Sequence, residues 1–140
     1  MANWHGTSRT NYVYVDDIDL LKETLAPFDI TIDVSNDGVM FSSRESDSGS
    51  FPSFVYVQHD DQEDKELVFD WKEHVMPYVK EGEVLIVMSV GAEKYRYVTG
   101  YSEAYVRKGT DIQSIGLDIG EIYELASEEL GILPRTRAEY

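Results

Sequence analysis

The sequence predicts a single α+β domain on a mainly antiparallel or mixed sheet of roughly five to seven strands, with about three helices. Three observations carry this expectation. The 140 residues fall at the usual size of one domain. The chain is 42% apolar, with ten Tyr, five Phe and two Trp, enough to bury a core without staples. Strand-like segments follow one another with few crossover helices, in the order β-α-β-β-β-α-β-β-(β)-α, and consecutive strands usually lie side by side. No repeat or linker divides the chain, so residues 1–140 read as one domain with 134–140 as a tail.

Each element has its own signal. Asn11 to Val15 is aromatic and β-branched and predicts a strand. Asp16-Asp17 then caps a helical stripe of Ile18, Leu20, Leu21 and Leu25, which Pro27 limits. Ile30 to Val34 alternates as a half-buried strand, Asn36-Asp37-Gly38 is a turn, and Val39 to Ser42 completes a hairpin. Residues 42–50 are small and polar and predict a loop. Phe51 to Val57 predicts another strand, and the charged run from His59 to Lys65 a solvated loop.

Asp70 with Glu73 suits a helix start, with Trp71, Val75, Tyr78 and Val79 on one face. Pro77 kinks or shortens that helix and Gly82 stops it. Glu83 to Val90 is the most apolar strand and a candidate sheet centre. Tyr95 to Val106 is long, with Tyr95, Tyr97, Tyr101 and Tyr105 on one face if unbroken. Gly100 marks a bulge or bend within it. Asp111 to Leu117 predicts a short strand. Asp118 with Glu121 opens a last helix, whose stripe of Ile119, Ile122, Tyr123, Leu125, Ala126 and Leu130 ends at Gly131.

Composition excludes several classes. There is no cysteine, so no disulfide or thiolate chemistry, which fits a reducing cytoplasm. No segment approaches the roughly 20 apolar residues of a membrane-spanning helix, and residues 1–5 show no secretory pattern. A cytoplasmic protein that does not bind membrane is expected.

The charge is the strongest compositional fact. There are 27 acids against 12 bases, hence −15. Residues 29–70 alone hold eleven acids against two bases. Such a chain repels nucleic acid and anionic membrane and attracts basic surfaces. Arg9, Lys94, Arg96, Arg107 and Lys108 are the bases that could cluster, and the acids outnumber them, so direct nucleic-acid binding is not expected.

No recognisable catalytic motif is present, and neither a cofactor nor a metal is expected. His5, His59 and His74 are scattered and fit no metal-ligand spacing. The His-Asp-Asp-Gln-Glu-Asp run at 59–64 lacks the glycine and alternating ligands of a calcium loop. The serines at 42–50 have no histidine at a diagnostic spacing, and Gly91, Gly100 and Gly109 form no phosphate loop.

The opening from Asn3 to Tyr12 packs Trp, Gly, Arg and Tyr closely. It predicts a buried Trp4 and an Arg9 paired with a carboxylate or a backbone carbonyl. Asn3-Trp4, Gly6-Thr7, Arg9 and Asn11-Tyr12 form one distinctive block. Gly91-Ala92-Glu93-Lys94-Tyr95-Arg96-Tyr97-Val98 forms a second, and Ala138-Glu139-Tyr140 a third. In these blocks the chain resembles small accessory proteins of bacterial phages and plasmids that open N-W-x-G-T-x-R-S-N-Y and close A-E-Y. It departs at Thr10, where that pattern has Ser, and at Thr99, where it has Gly. The resemblance implies a mobile-element accessory protein and brings no catalytic residues.

Charge and resemblance together lead to an expected function. A non-enzymatic acidic protein would bind a basic host protein that handles DNA or RNA, such as a defence nuclease, and inhibit it by imitating nucleic acid. Duplex DNA carries one negative charge per roughly 1.7 Å of axis, so imitation needs a dense carboxylate array. The candidate partner-binding residues are Asp33, Asp37, Glu45, Asp47, Asp60, Asp61, Glu63 and Asp64. Two rivals stay open: an interaction protein that self-associates through the tyrosine strand at 95–105, its acidity serving solubility, and a small-molecule enzyme or binder with a tyrosine-floored pocket.

Overall fold

Apolar alternation and turn residues divide the described chain into eight strands and three helices. The computed structural model describes residues 4–43, 49–52, 54–59, 62–93, 97–132 and 134–135. In chain order the elements are β1 (Trp4–Thr10), α1 (Ile18–Leu25), β2 (Thr31–Ser35), β3 (Gly38–Ser42), β4 (Phe54–His59), β5 (Gln62–Val68) and α2 (Trp71–His74). A 3-10 turn (Met76–Tyr78) follows α2, then β6 (Val84–Glu93), β7 (Tyr97–Lys108) and β8 (Asp111–Asp118). A second 3-10 turn (Ile119–Glu121) leads into α3 (Ile122–Leu130). Six strands form an antiparallel sheet in the order β2-β3-β1-β6-β7-β8, and β4 and β5 form a separate two-stranded ribbon. The expected single α+β domain with an antiparallel sheet is what the chain forms.

The helix boundaries follow local chemistry. Asp17 caps α1 by accepting from the Leu20 N–H at 3.0 Å, and Asp70 caps α2 by accepting from the Lys72 N–H at 3.0 Å. Pro77 stands inside the first 3-10 turn, so α2 stops after one turn of helix. Gly38 turns the β2–β3 hairpin at φ +116°, where a Cβ would lie 2.3 Å from the Val13 carbonyl oxygen.

One face of the sheet carries the core. Leu85 and Val87 of β6, Tyr105 of β7, and Val39 and Phe41 of β3 pack with Leu21 and Leu25 of α1 and with Trp71, Val75 and Met76. Trp71 meets the edges or faces of Phe41, Phe51 and Phe69 at ring separations of 4.9–5.8 Å. The hydrophobic effect acting on these buried rings holds α2 and the neighbouring 3-10 turn against the sheet.

Four expectations need correction. Residues 11–15 are not a continuous strand. Asn11 takes the next ladder position with its side chain, donating to the Val84 carbonyl at 2.9 Å and accepting from the Ile86 N–H at 2.8 Å. The backbone then peels away, bridging β3 at Val13 and the segment after α2 at Val15. The charged segment expected to be a loop over 59–65 is mostly strand: β5 starts at Gln62 and pairs with β4, placing Val57 opposite Lys65 and Val55 opposite Leu67. Pairing overrides the weak strand preference of its acids. The partner strand itself begins at Phe54, later than Phe51. Gly100 makes no bulge, since β6 and β7 pair without interruption from Val84↔Val106 to Glu93↔Tyr97.

Close packing explains the small residues of the Gly6–Arg9 stretch of β1. Gly49, at φ +68°, lies so near β1 that a Cβ would be 2.0 Å from the Gly6 carbonyl oxygen. Buried hydroxyls tie the same junction: the Ser8 N–H donates to Ser43 Oγ at 3.1 Å, Ser43 Oγ donates to the Gly49 carbonyl at 2.7 Å, and Ser8 Oγ meets Ser89 Oγ at 2.6 Å. Arg9 is exposed and its Nε donates to the Thr10 carbonyl at 3.1 Å, a backbone partner as expected. The Trp4 side chain lies outside the described residues.

Candidate interaction surfaces

The expected carboxylate array divides among several elements. Asp33 is half-buried on β2 opposite Met40, and Asp37 is exposed at the hairpin turn, where its N–H donates to Ser35 Oγ at 3.1 Å. Glu63 and Asp64 belong to β5, on the separate ribbon, rather than to a loop; their side chains lie outside the described residues. Glu45, Asp47, Asp60 and Asp61 also lie outside them. The structure therefore brings Asp33 and Asp37 together on one hairpin and Glu63 and Asp64 together on another.

Other acids stand on the helices and at the end of β5. Asp17, Asp19 and Glu23 stand exposed along α1, and Glu66, Asp70 and Glu73 continue from β5 through α2. Packing of α1 beside α2 joins the two groups. Among the described residues one ion pair forms, between Arg107 and Asp16 at 3.9 Å. Arg107 is otherwise spent on structure, its Nε donating to the Val79 carbonyl at 2.9 Å.

Two of the four tyrosines of the expected tyrosine face, Tyr101 and Tyr105, have described side chains. Tyr105 is buried in the core and its hydroxyl donates to the Glu103 carboxylate. Burial first, then the hydrogen bond and charge of Glu103, raise its pKa above the ordinary tyrosine value. Tyr101 is partly exposed; burial raises its pKa too, against the lowering effect of the Ser89 hydroxyl. Tyr95 and the Tyr97 side chain lie outside the described residues. A raised tyrosine pKa keeps the hydroxyl neutral, which is the wrong direction for a base.

The opposite face of the same strands is open and apolar. Along β6, Leu85, Val87 and Ser89 point into the core, while Val84, Met88 and Val90 are exposed. Cross-strand pairing extends that outward face through Val98, Ser102 and Ala104 of β7 to Ile115 and Leu117 of β8. No outward position on β6 from 84 to 90, on β7 from 98 to 106, or on β8 from 113 to 117 is charged. Ile119 seats at one end of this face, where a Cβ on Gly100 would come within 3.3 Å of it and 3.4 Å of Val90. A groove of about 440 Å³ runs there between sheet and helix, lined mainly by Met88, Val90, Leu117, Ile119, Ile122 and Leu125.

Comparison with protein-family models, curated proteins and solved structures returns no match. What these surfaces can do must follow from their own chemistry. No group of three or more His, Cys, Asp or Glu among the described residues is placed to hold a metal ion. No helix among them is long and apolar enough to cross a membrane.

Sequence reasoning missed the outward apolar face, although a signal existed. Val84 to Met88 is apolar at every position, and the run reads only as the candidate centre of the sheet. The structure covers one side only.

Proposed function

We propose that this protein is a non-enzymatic binding protein that engages a basic, nucleic-acid-handling protein through its carboxylates. The observation that carries the reading is the acid exposed along α1, the end of β5 and α2, in a chain of net charge −15. Carboxylates held on strands and short helices have little freedom to collapse, so they offer a basic groove a preformed anionic surface. Complementary charge speeds encounter and selects partners more than it adds affinity. The resemblance to mobile-element accessory proteins supports a bacterial host protein as the target, with inhibition by occupying its nucleic-acid groove as the mechanism.

The test is capture of partners from a bacterial lysate at low and high salt, followed by competition with DNA and RNA. Binding should weaken steeply with salt, because exposed charges are screened over about 8–10 Å. The fourfold variant Asp60→Asn, Asp61→Asn, Glu63→Gln, Asp64→Asn should release the partner, with circular dichroism and the melting temperature recorded beside it to separate lost binding from lost fold. Asp33→Asn with Asp37→Asn is the second pair to test. A captured partner indifferent to salt and to both sets of substitutions would reject the reading.

A further inference from the structure

We infer that the protein forms a homodimer in which α3 of each copy lies on the outward apolar sheet face of the other. This uses a surface separate from the carboxylates and does not depend on the function proposed above.

The helix has an unpartnered apolar stripe. Ile122, Leu125, Ala126 and Leu130 fall on one side of α3 at helical spacing, with Glu129 the one charged residue on that side, while Glu124 and Glu128 fall on the other. Yet Ile122, Leu125 and Leu130 are 45–77% exposed, and no residue of α3 is buried. The short 3-10 turn at Ile119–Glu121 anchors the helix start on Gly100 and Val90, and from there the helix packs little against its own sheet. The sheet beside it is equally bare, with Met88 at 56% and Ile115 at 74% exposure.

A second copy is the occupant that fits. The same chain carries a bare helix stripe and a bare sheet face, so a two-fold axis satisfies both halves twice with one contact. The size is sufficient. Eleven exposed aliphatic or methionine side chains on the sheet face, α3 and its flanks offer on the order of 700 Å² of apolar surface, taking roughly 100 Å² for a fully exposed one. Each partner in a standard interface contributes roughly 800 Å², and a patch this large is uncommon on a monomer.

Charge also permits it. Two copies at −15 repel each other over most of their surface, but the outward positions within 84–90 of β6, 98–106 of β7 and 113–117 of β8 carry no charge; Lys108 and Asp111 bound that face at one end. At the rim, exposed Arg9 on β1 stands beside Met88, in reach of a carboxylate on an incoming α3.

Sedimentation of the full chain over a concentration series tests the assembly. A dimer is expected, and added salt should preserve or tighten it, because screening relieves repulsion between like charges while apolar burial persists. That response is opposite to the one expected for the basic partner, so the two proposals fail separately. Ile115→Glu and Leu125→Glu should each weaken the dimer about 30-fold or more with unchanged circular dichroism, since both side chains are exposed in the single chain.

The packing mode is read with cysteines, which the natural chain lacks. A chain carrying Cys at Met88 or Ile115, mixed with one carrying Cys at Ile122 or Leu125, should form mixed disulfide dimers on oxidation. A monomer at every soluble concentration would overturn the proposal. So would crosslinks formed only between identical sheet positions, or a monomer whose two Glu variants instead lose a captured foreign protein.

Discussion

Asn11 holds three positions of the β6 ladder: its N–H donates to the Ile86 carbonyl at 3.2 Å, and its amide bonds Val84 and Ile86. A side chain that imitates backbone lets the chain leave the sheet without orphaning the strand it leaves. Asn11→Ala should lower stability by about 1–2 kcal/mol, and Asn11→Asp, which keeps the acceptor, by less; urea unfolding midpoints decide this. Tyr105 supplies a pH signature. Its folded pKa lies above the ordinary value of 10.0, so the folded state holds the proton more tightly than the unfolded chain. The stabilisation is fully present below about pH 10 and is lost as pH rises from there toward the folded value. Tyr105→Phe should therefore flatten the alkaline fall in stability, measured by urea midpoints between about pH 8 and pH 11.

At the scale of elements, α3 differs from α1 and α2. The two earlier helices fully bury Leu21, Leu25 and Trp71, whereas no residue of α3 is fully buried and only Tyr123 and Ala126 are half-buried. Its entry is fixed by the preceding 3-10 turn, which Asp118 caps by accepting from the Gly120 N–H at 2.7 Å, and Gly131 closes its end at φ +76°; the helix's own N-cap, Glu121, makes no side-chain cap bond. A nine-residue helix is marginal without packing. Asp118→Ala should remove about 1 kcal/mol of local stability. The expected result is faster amide hydrogen exchange across 119–130 at low protein concentration, with exchange in β6 and the global melting temperature little changed. An equal loss of protection in β6 would mean that α3 belongs to the main cooperative unit.

The whole molecule combines two surfaces of opposite character on one sheet scaffold. Carboxylates spread over the hairpins, α1 and α2, while residues 84–90 of β6, 98–106 of β7 and 113–117 of β8 turn uncharged side chains outward. Salt acts on them in opposite senses, weakening a contact between unlike charges and easing one between like-charged copies. Dimerisation would also make the melting temperature rise with protein concentration, as for any assembly linked to folding. A dimer would present two carboxylate surfaces in fixed relation, which a partner with two basic sites reads as a gain in effective concentration.

Local chemistry determined much of this protein. The three helix sites, the Asn36-Asp37-Gly38 hairpin and the apolar strand that became β6 were legible because capping, turn geometry and periodicity act over a few residues. The net charge was equally plain, and with it the class of partner to expect. Tertiary structure alone decided three matters. It placed Asn11 in the ladder and so moved the first strand to Trp4–Thr10. It made β5 a strand, because pairing with β4 outweighs the weak strand preference of Glu and Asp. It also chose which side of the sheet the helices cover. Along β6 both faces are apolar, so alternation carries no instruction there. The choice fell to the packing of Leu21, Leu25 and Trp71, which took the face of Leu85 and Val87 and left Met88 and Val90 uncovered.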